Sequence, residues 1–340
     1  MSKVLVLYTG GTIGMIKDSE SGHLGSVDFN SVYEYIPELK RLQIEITTQS
    51  FTNPVDSSEL GPNDWIEMAR VIETEYAKFD GFVILHGTDT MSFAASALSF
   101  MIQDVRKPII FTGSQLPIGV IRTDGKENLI TALEIAAAKD SNGESIIQEV
   151  ALYFEYSLYR GNRSSKVSSN QFEAFQSPNY PEIAIAGVNI KYRWDSLLRT
   201  KNDSPKFLKE MSTKIALIKL YPGFDAAMYS ELFEINRTKA IVIESFGSGN
   251  APSNLNLQRL IIQFIEDGGV ILNVTQCSSG EVKQGAYKTS SFFNKAGVVS
   301  GRDMTTEAAM TKLMFLLGNY KEISKIKELL SVSISGEMDY

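Results

Sequence analysis

The sequence predicts a two-domain α/β protein: a mostly parallel sheet with flanking helices in a large N-terminal domain, then a smaller α/β unit. Three observations carry this. Apolar runs of strand length alternate with helix-spaced patterns, and parallel strands joined by crossover helices are buried on both faces, so they read as continuous apolar runs. The alternation breaks into polar, basic chain over 191–211 and then resumes. The 340 residues are about twice the common domain size of roughly 150. The expected division is therefore an N-terminal α/β domain over 1–190, a linker over 191–211 and a C-terminal α/β domain over 212–340.

In chain order, VLVLY at 4–8 is the first buried strand, ending in TGGTIG, and 43–47 is a weaker second strand. Pro62 opens a helix over 63–78, with Trp65, Met68, Ala69, Ile72 and Tyr76 at three-to-four spacing. Strands at 82–85, 109–112 and 150–154 alternate with helices at 91–102 and 127–138. The basic stretch holds Lys191, Arg193, Arg199, Lys201, Lys206 and Lys209 around Asn-Asp-Ser-Pro, the composition of a solvated linker. Beyond it, strands at 215–220, 240–243 and 270–274 accompany helices at 256–267, 305–317 and 321–330. No internal repeat or low-complexity tract interrupts the pattern.

Composition narrows the function. With 33 Lys+Arg against 40 Asp+Glu, the net charge of −7 disfavours a nucleic-acid surface. The one cysteine, Cys277, cannot form an internal disulfide, which points to a reducing compartment. Two imidazoles, His23 and His86, are too few for a histidine-rich zinc site. No apolar run reaches the roughly 18 residues of a membrane span, and MSKVLVLYTGG lacks the cleavage site of a signal peptide. A soluble cytoplasmic protein is expected, with no nucleic acid or membrane partner; composition by itself names no chemistry.

In open α/β sheets, ligands bind beyond the carboxyl ends of the strands. Those ends carry Thr9-Gly10-Gly11-Thr12, then Asp56-Ser57-Ser58-Glu59, then His86-Gly87-Thr88-Asp89-Thr90, then Arg160 through Lys166. Hydroxyls, carboxylates and one lysine thus converge on one rim. The glycine turn admits three readings: a phosphate cradle, a plain turn with Thr12 capping a helix, or a Thr12 nucleophile beside backbone oxyanion donors. It lacks the Gly-Lys-Ser/Thr ending of a P-loop and the full dinucleotide spacing. Thr90 or Asp89 could cap the next helix, whereas a hydroxyl beside a carboxylate could position water if a lysine is near. Lys166 is a poor base unless a pocket desolvates it and a carboxylate such as Asp89 holds it. His86, with no second ligand, reads as a hydrogen-bonded core residue.

TGGTIG and GFVILHGTDTM (81–91) together resemble the two signature motifs of bacterial-type L-asparaginases. The resemblance runs in order through DSSE (56–59), TGSQLP (112–117), YRGNRSSK (159–166), SFGSGNAP (245–252), NVTQCSSGEV (273–282) and GRDMTTEAAMTKL (301–313). It is nearest the cytoplasmic type I branch. The resemblance implies that Thr12 attacks the side-chain amide of asparagine, leaving a β-aspartyl ester, and that Thr88, Lys166 and Asp89 direct its hydrolysis. It further implies backbone oxyanion donors at Gly11 and Thr88, and substrate binding by Asp56, Ser57, Ser58, Thr88 and Asp89. No metal or organic cofactor is implied. The resemblance implies homodimers or dimers of dimers, with C-terminal-domain residues of a neighbour approaching the site, Asn250 being one candidate. One missing methylene separates asparagine from glutamine, worth about 1–3 kcal/mol, so weak glutaminase activity accompanies the expected activity.

Two departures from the family pattern stand out. Where many members carry a tyrosine in the mobile loop, this chain has His23, which is left outside the catalytic set. Some type I members bind asparagine at an allosteric site through an arginine before the S-[FY]-G-x-G-N segment. Here that position is Glu244, with Thr275 and Cys277 matching the remainder, and activation by asparagine is expected to be lost or altered. For Cys277 itself, a small buried thiol is the simpler expectation.

Overall fold

The computed structural model describes residues 1–17, 24–26, 36–200, 202, 204–285 and 288–339. The chain divides into two compact units, Met1–Phe207 and Leu208–Tyr340. In the first, eight strands form one sheet: β1 (Ser2–Gly10), β2 (Ile44–Val55), β3 (Gly81–Leu85), β4 (Ile109–Thr112), β5 (Val150–Phe154), β6 (Ser157–Arg160), β7 (Ala184–Ala186) and β8 (Ile190–Tyr192). Their spatial order is β8-β7-β6-β5-β4-β3-β1-β2. The five strands from β2 to β5 run parallel, and β6, β7 and β8 continue the sheet antiparallel.

The continuous apolar runs occupy the middle of the sheet. Every residue of β3, β4 and β5 is buried, as is β1 from Val4 onward, which is the burial expected of parallel strands covered on both faces. Strand β2 lies at the edge and extends well past the expected 43–47. Its burial alternates from Ile44, so its later residues read as polar chain. The register between β1 and β2 shifts after Tyr8, setting Gly10 opposite Val55. Gly10 has φ +131°, and a Cβ there would collide with the Val55 carbonyl. Glycine is therefore required where the chain leaves the sheet.

Three helices cover the sheet. Helix α1 (Pro62–Glu75) starts with proline in its first turn, and the Asp64 carboxylate accepts the Gly61 N–H at 2.8 Å. Its buried face is Trp65, Met68, Ala69, Val71 and Ile72, the spacing read from the sequence. Helix α2 (Met91–Met101) is buried on nearly all sides, which explains its run of alanine, serine and large apolar residues. Helix α3 (Gly125–Ala137) packs its Leu129, Ala132, Leu133 and Ile135 into the core shared by Val4, Val6, Val83 and Ile110.

The stretch expected as a linker is largely built into this first unit. Lys191 and Tyr192 belong to edge strand β8, and Lys206 and Phe207 pair antiparallel with Ile102 and Gln103. Its charged composition is that of an exposed sheet edge, where lysine and arginine discourage further strand pairing. The division between units falls at Phe207/Leu208.

The second unit holds a four-stranded parallel sheet of β9 (Ile215–Lys219), β10 (Ala240–Ser245), β11 (Val270–Thr275) and β12 (Val299–Ser300), in that order. Asn254 caps helix α4 (Leu255–Glu266) and Thr305 caps α6 (Thr306–Asn319), each side chain accepting first-turn backbone N–H groups. The helices α5 (Lys288–Ala296) and α7 (Ile323–Leu330) complete the set. On α6, the fully buried Lys312 pairs with the fully buried Glu337 at 2.5 Å, and also donates to the carbonyls of Leu330 and Val332. Among the described residues, no helix is long and apolar enough to cross a membrane.

Candidate active site

The loops after β1, β2 and β3 of the first unit approach one another closely at glycines. After β1, Gly11 adopts φ +88°, and a Cβ on it would strike the Gly87 backbone beyond β3. A Cβ on Gly87 would in turn lie 2.6 Å from the Ser57 hydroxyl, beyond β2. These glycines permit the loops to touch without side chains between them. Thr12 opens a single turn of 3-10 helix (Thr12–Gly14) and is half-buried. Below it, the Tyr8 hydroxyl donates to the Gly11 carbonyl at 3.4 Å, and burial pushes the phenol up to about 12. Tyr8 thus stays neutral, a support for the turn.

The loop after β3 carries the densest chemistry. The Lys166 amine donates to Thr88 Oγ1 at 2.8 Å and to Asp89 Oδ1 at 2.6 Å. Thr88 is buried, the Lys166 side chain is 15 % exposed and that of Asp89 is 64 % exposed. Thr88 passes its own hydrogen to Gln115 Oε1 at 3.3 Å, and Gln115 Nε2 donates to the Gln171 carbonyl at 2.9 Å. The donors all point one way, from lysine through threonine to glutamine, which orients the Thr88 hydroxyl. A short antiparallel ladder, Ser165–Lys166 against Phe175–Gln176, holds the lysine in place.

The capping expectation for this loop fails. No side chain caps α2, and Thr90 Oγ1 donates instead to the Ser57 carbonyl at 2.6 Å. That bond ties the loop after β3 to the one after β2. There Asp56 caps the 3-10 turn Ser57–Glu59, accepting the Ser58 N–H at 2.9 Å and the Ser58 hydroxyl at 2.7 Å. These two hydrogen bonds hold the Asp56 carboxyl below its ordinary range, against a burial effect that opposes them; the Lys166 charge adds a smaller push in the same direction.

His86 is buried, and its Nδ1 lies 2.7 Å from the Gly87 carbonyl, so that nitrogen carries the hydrogen. Burial pushes its pKa down to about 4, leaving a neutral ring that braces the loop. This agrees with its expected place as a hydrogen-bonded core residue.

Gln115 escaped the sequence analysis as a site residue. Its signal was present, since TGSQLP follows the buried strand β4 and so delivers polar side chains to the same rim. The buried Asp124 carboxylate accepts the backbone N–H groups of Gln115 and Leu116, fixing that loop. Burial nonetheless raises the Asp124 carboxyl above its usual range.

Glu244, Thr275 and Cys277 belong to the second unit. Glu244, at the end of β10, accepts the Thr306 hydroxyl at 2.6 Å and lies 3.3 Å from the Lys219 amine. Thr275 Oγ1 donates to the Gly247 carbonyl at 2.6 Å and accepts the Cys277 N–H at 3.0 Å. Cys277 is exposed, contrary to the buried thiol expected; it sits on the loop beyond β11, outside the core. The backbone of Asn250 pairs with that of Phe246. His23 lies outside the described residues.

Comparison with known proteins supplies the family. A model described as "Asparaginase, N-terminal" matches residues 3–198, and one described as "Glutaminase/Asparaginase C-terminal domain" matches 214–330. L-asparaginase 1 of Escherichia coli (strain K12) is 38% identical over 338 residues, covering 98% of this chain and 97% of that protein. The crystal structure of L-asparaginase I from Vibrio cholerae superposes with a TM-score of 0.90 at 37% identity, covering 100% of this chain and 99% of that one. The thermostable L-asparaginase from Thermococcus kodakarensis gives 0.90 at 33% identity, covering 99% of each chain. With both family domains matched in order along one chain, the protein belongs to the asparaginase family.

Proposed function

We propose that this protein is an L-asparagine amidohydrolase that releases L-aspartate and ammonia through a covalent ester on Thr12. The observation that carries the reading is the Lys166 amine bridging Thr88 and Asp89 at 2.8 and 2.6 Å, in loops whose glycines abut the turn bearing Thr12. In the first step, Thr12 Oγ bonds to the side-chain carbonyl carbon of asparagine, the carbon–nitrogen bond breaks, and the hydroxyl proton leaves with ammonia. In the second, water bonds to the ester carbon, the Thr12 Oγ–carbon bond breaks, and a water proton returns to Thr12. Covalent catalysis of this kind divides one difficult hydrolysis into two easier ones.

Thr88 holds the water of the second step, with Lys166 receiving and returning its proton and Asp89 fixing the amine. The backbone N–H groups of Gly11 and Thr88 receive the developing oxyanion. Asp56, Ser57 and Ser58, together with Thr88 and Asp89, bind the α-amino and α-carboxylate groups of the substrate. Asp56 suits the ammonium because its hydrogen bonds keep it ionised. The working protein is a cytoplasmic homodimer or dimer of dimers. Weak glutaminase activity accompanies the main reaction, because one methylene gives limited discrimination.

Ammonia release from asparagine and from glutamine tests the reading, with Thr12→Ala and Lys166→Met as controls. Turnover of asparagine that both substitutions abolish is expected. No turnover by the intact protein refutes the activity, and full activity in Thr12→Ala refutes the nucleophile.

A further inference from the structure

Asp124 stands at the N-terminal boundary of α3, where an aspartate ordinarily accepts backbone N–H groups of the first turn. Its side chain caps nothing in α3. Thr123 Oγ1 accepts the Gly125 N–H instead, at 3.0 Å. The buried carboxylate turns back to the loop after β4. Its Oδ1 accepts the Gln115 and Leu116 N–H groups, both at 3.1 Å, and its Oδ2 accepts that of Gln115 at 2.9 Å. Asn128, fully buried one turn further along α3, donates to Oδ2 at 3.3 Å and to the Gly113 carbonyl at 3.0 Å. The Asn128 Oδ1 accepts the Glu155 N–H at 3.1 Å, so both ends of this amide are occupied.

A carboxylate is a costly choice for this place. Burial raises it above its usual range, against the lowering effect of the Gln115 and Leu116 N–H groups and the Asn128 amide. An asparagine would be cheaper to bury, but it would set an NH2 donor against the Gln115 N–H or the Asn128 NH2. Only an acceptor on both oxygens serves all three donors at once. The charge is therefore explained by what it holds, the first residues of the loop after β4.

That loop lies against the catalytic loop after β3: a Cβ on Gly113 would collide with the His86 carbonyl. The Gln171 carbonyl can only accept, so the Gln115 amide must present Nε2 to it and Oε1 to Thr88. The Lys166 ammonium can only donate, so Thr88 Oγ1 accepts from it and sends its own hydrogen to Gln115. These two bonds leave one lone pair on Thr88 Oγ1 and set its direction. The far end of the loop is anchored separately. Ile118 N–H donates to the Ile13 carbonyl at 3.4 Å, in the turn that Thr12 opens. Asp124 thus holds the part of the loop facing Thr88, while a different contact holds the part facing Thr12.

We propose that Asp124 is a positioning residue for hydrolysis of the ester: through Gln115 it orients the Thr88 hydroxyl that holds the attacking water. The proposal rests on the role given to Thr88 above and deepens it. Asp124 touches neither substrate nor water and takes no proton. Removing its carboxylate frees Gln115, turns the Thr88 hydroxyl and slows the second step, while the Thr12 turn keeps its own anchor and the first step proceeds.

The test is rapid-quench measurement of ammonia and aspartate from the full chain, in the wild type, Asp124→Asn and Gln115→Leu. Ammonia leaves in the first step and aspartate in the second, so kcat/KM reports the first step and kcat includes the second. In each variant kcat and KM should fall together by about tenfold to a hundredfold, the loss that a misplaced group produces, with kcat/KM held within about twofold. An ammonia burst of about one per chain should precede steady aspartate release, because the ester accumulates. The double variant should be no slower than the slower single one, since both changes act on one hydroxyl. Gln115→Leu leaves the buried carboxylate in place and serves if Asp124→Asn does not fold. A general loosening of the site would lower kcat/KM without a burst; that result, or an unchanged kcat in a folded variant, would overturn the proposal. Absence of ammonia from the wild type would instead refute the hydrolase reading and this proposal with it, so the two failures are distinguishable.

Discussion

Replacing Lys166 with methionine is the sharpest probe of the catalytic reading, because the structure separates its effect on rate from its effect on stability. The substitution keeps the aliphatic stem and removes two hydrogen bonds, to Thr88 at 2.8 Å and to Asp89 at 2.6 Å. The Asp89 side chain is 64 % exposed, so water replaces the amine there at little cost. Thr88 is buried and keeps only its long bond to Gln115, which puts the stability loss at about 1 kcal/mol. A group that receives and returns a proton contributes roughly 10²–10⁴ in rate, equivalent to about 3–5 kcal/mol of barrier. Steady-state ammonia release should therefore show kcat lowered by about two to four decades in Lys166→Met, with thermal unfolding shifted by only a few degrees. Lys166→Arg places there a fixed positive charge that cannot take up a proton, so it should not restore the rate. A kcat for Lys166→Met within about tenfold of the wild type would refute the role, and full rescue by arginine would reduce it to electrostatics.

Three further outcomes follow from the same geometry. His86 titrates in the folded state at about 4, below its ordinary value near 6.5, so the unfolded chain takes up the proton first as pH falls. Its contribution is complete above about pH 6.5 and declines toward pH 4, by up to about 3 kcal/mol; urea unfolding across that window should lose this slope in His86→Gln, and an unchanged slope would exclude the buried neutral ring. Gly11→Ala places a methyl group against the Gly87 backbone at φ +88°, and should cost at least about 1 kcal/mol in chemical denaturation and lower kcat at least tenfold; near-normal activity would show that the loops need not touch. Glu244 presents a carboxylate anchored by Thr306 and Lys219 where an arginine would attract the α-carboxylate of asparagine, so initial rates should rise hyperbolically with asparagine; sigmoidal saturation made hyperbolic by Thr275→Ala or Cys277→Ala would contradict this.

Legibility in the sequence followed burial. Strands β1, β3, β4 and β5 could be read because both faces are covered, leaving no polar residue to interrupt the run. Edge strand β2 was truncated because its exposed side chains dilute the apolar signal, and the charged stretch after 190 concealed a strand for the same reason. At the strand ends, the sequence could supply chemical types but not pairings. Thr90 is as good a cap as any threonine, yet its hydroxyl crosses to Ser57; nothing local to residue 90 records where residue 57 will lie.

That limit bears most on Lys166. Its two partners lie 77 and 78 positions earlier in the chain, and the amine reaches them because a ladder of only two residue pairs sets its direction. A lysine in a Ser/Asn loop carries no mark of this, because residue type alone does not distinguish a solvated surface charge from an amine held by two partners. Family resemblance filled the gap by transferring a tertiary relation that the local sequence does not encode. It does not single out Gln115 within TGSQLP in the same way. The hydrogen-bond direction from Lys166 through Thr88 to Gln115 supplies its role: the glutamine carbonyl takes the threonine hydrogen, leaving the Thr88 oxygen turned toward the amine. If Thr88 positions water, Gln115 is the residue that sets its orientation, and the loop held by Asp124 belongs to the site as much as the signature motifs do.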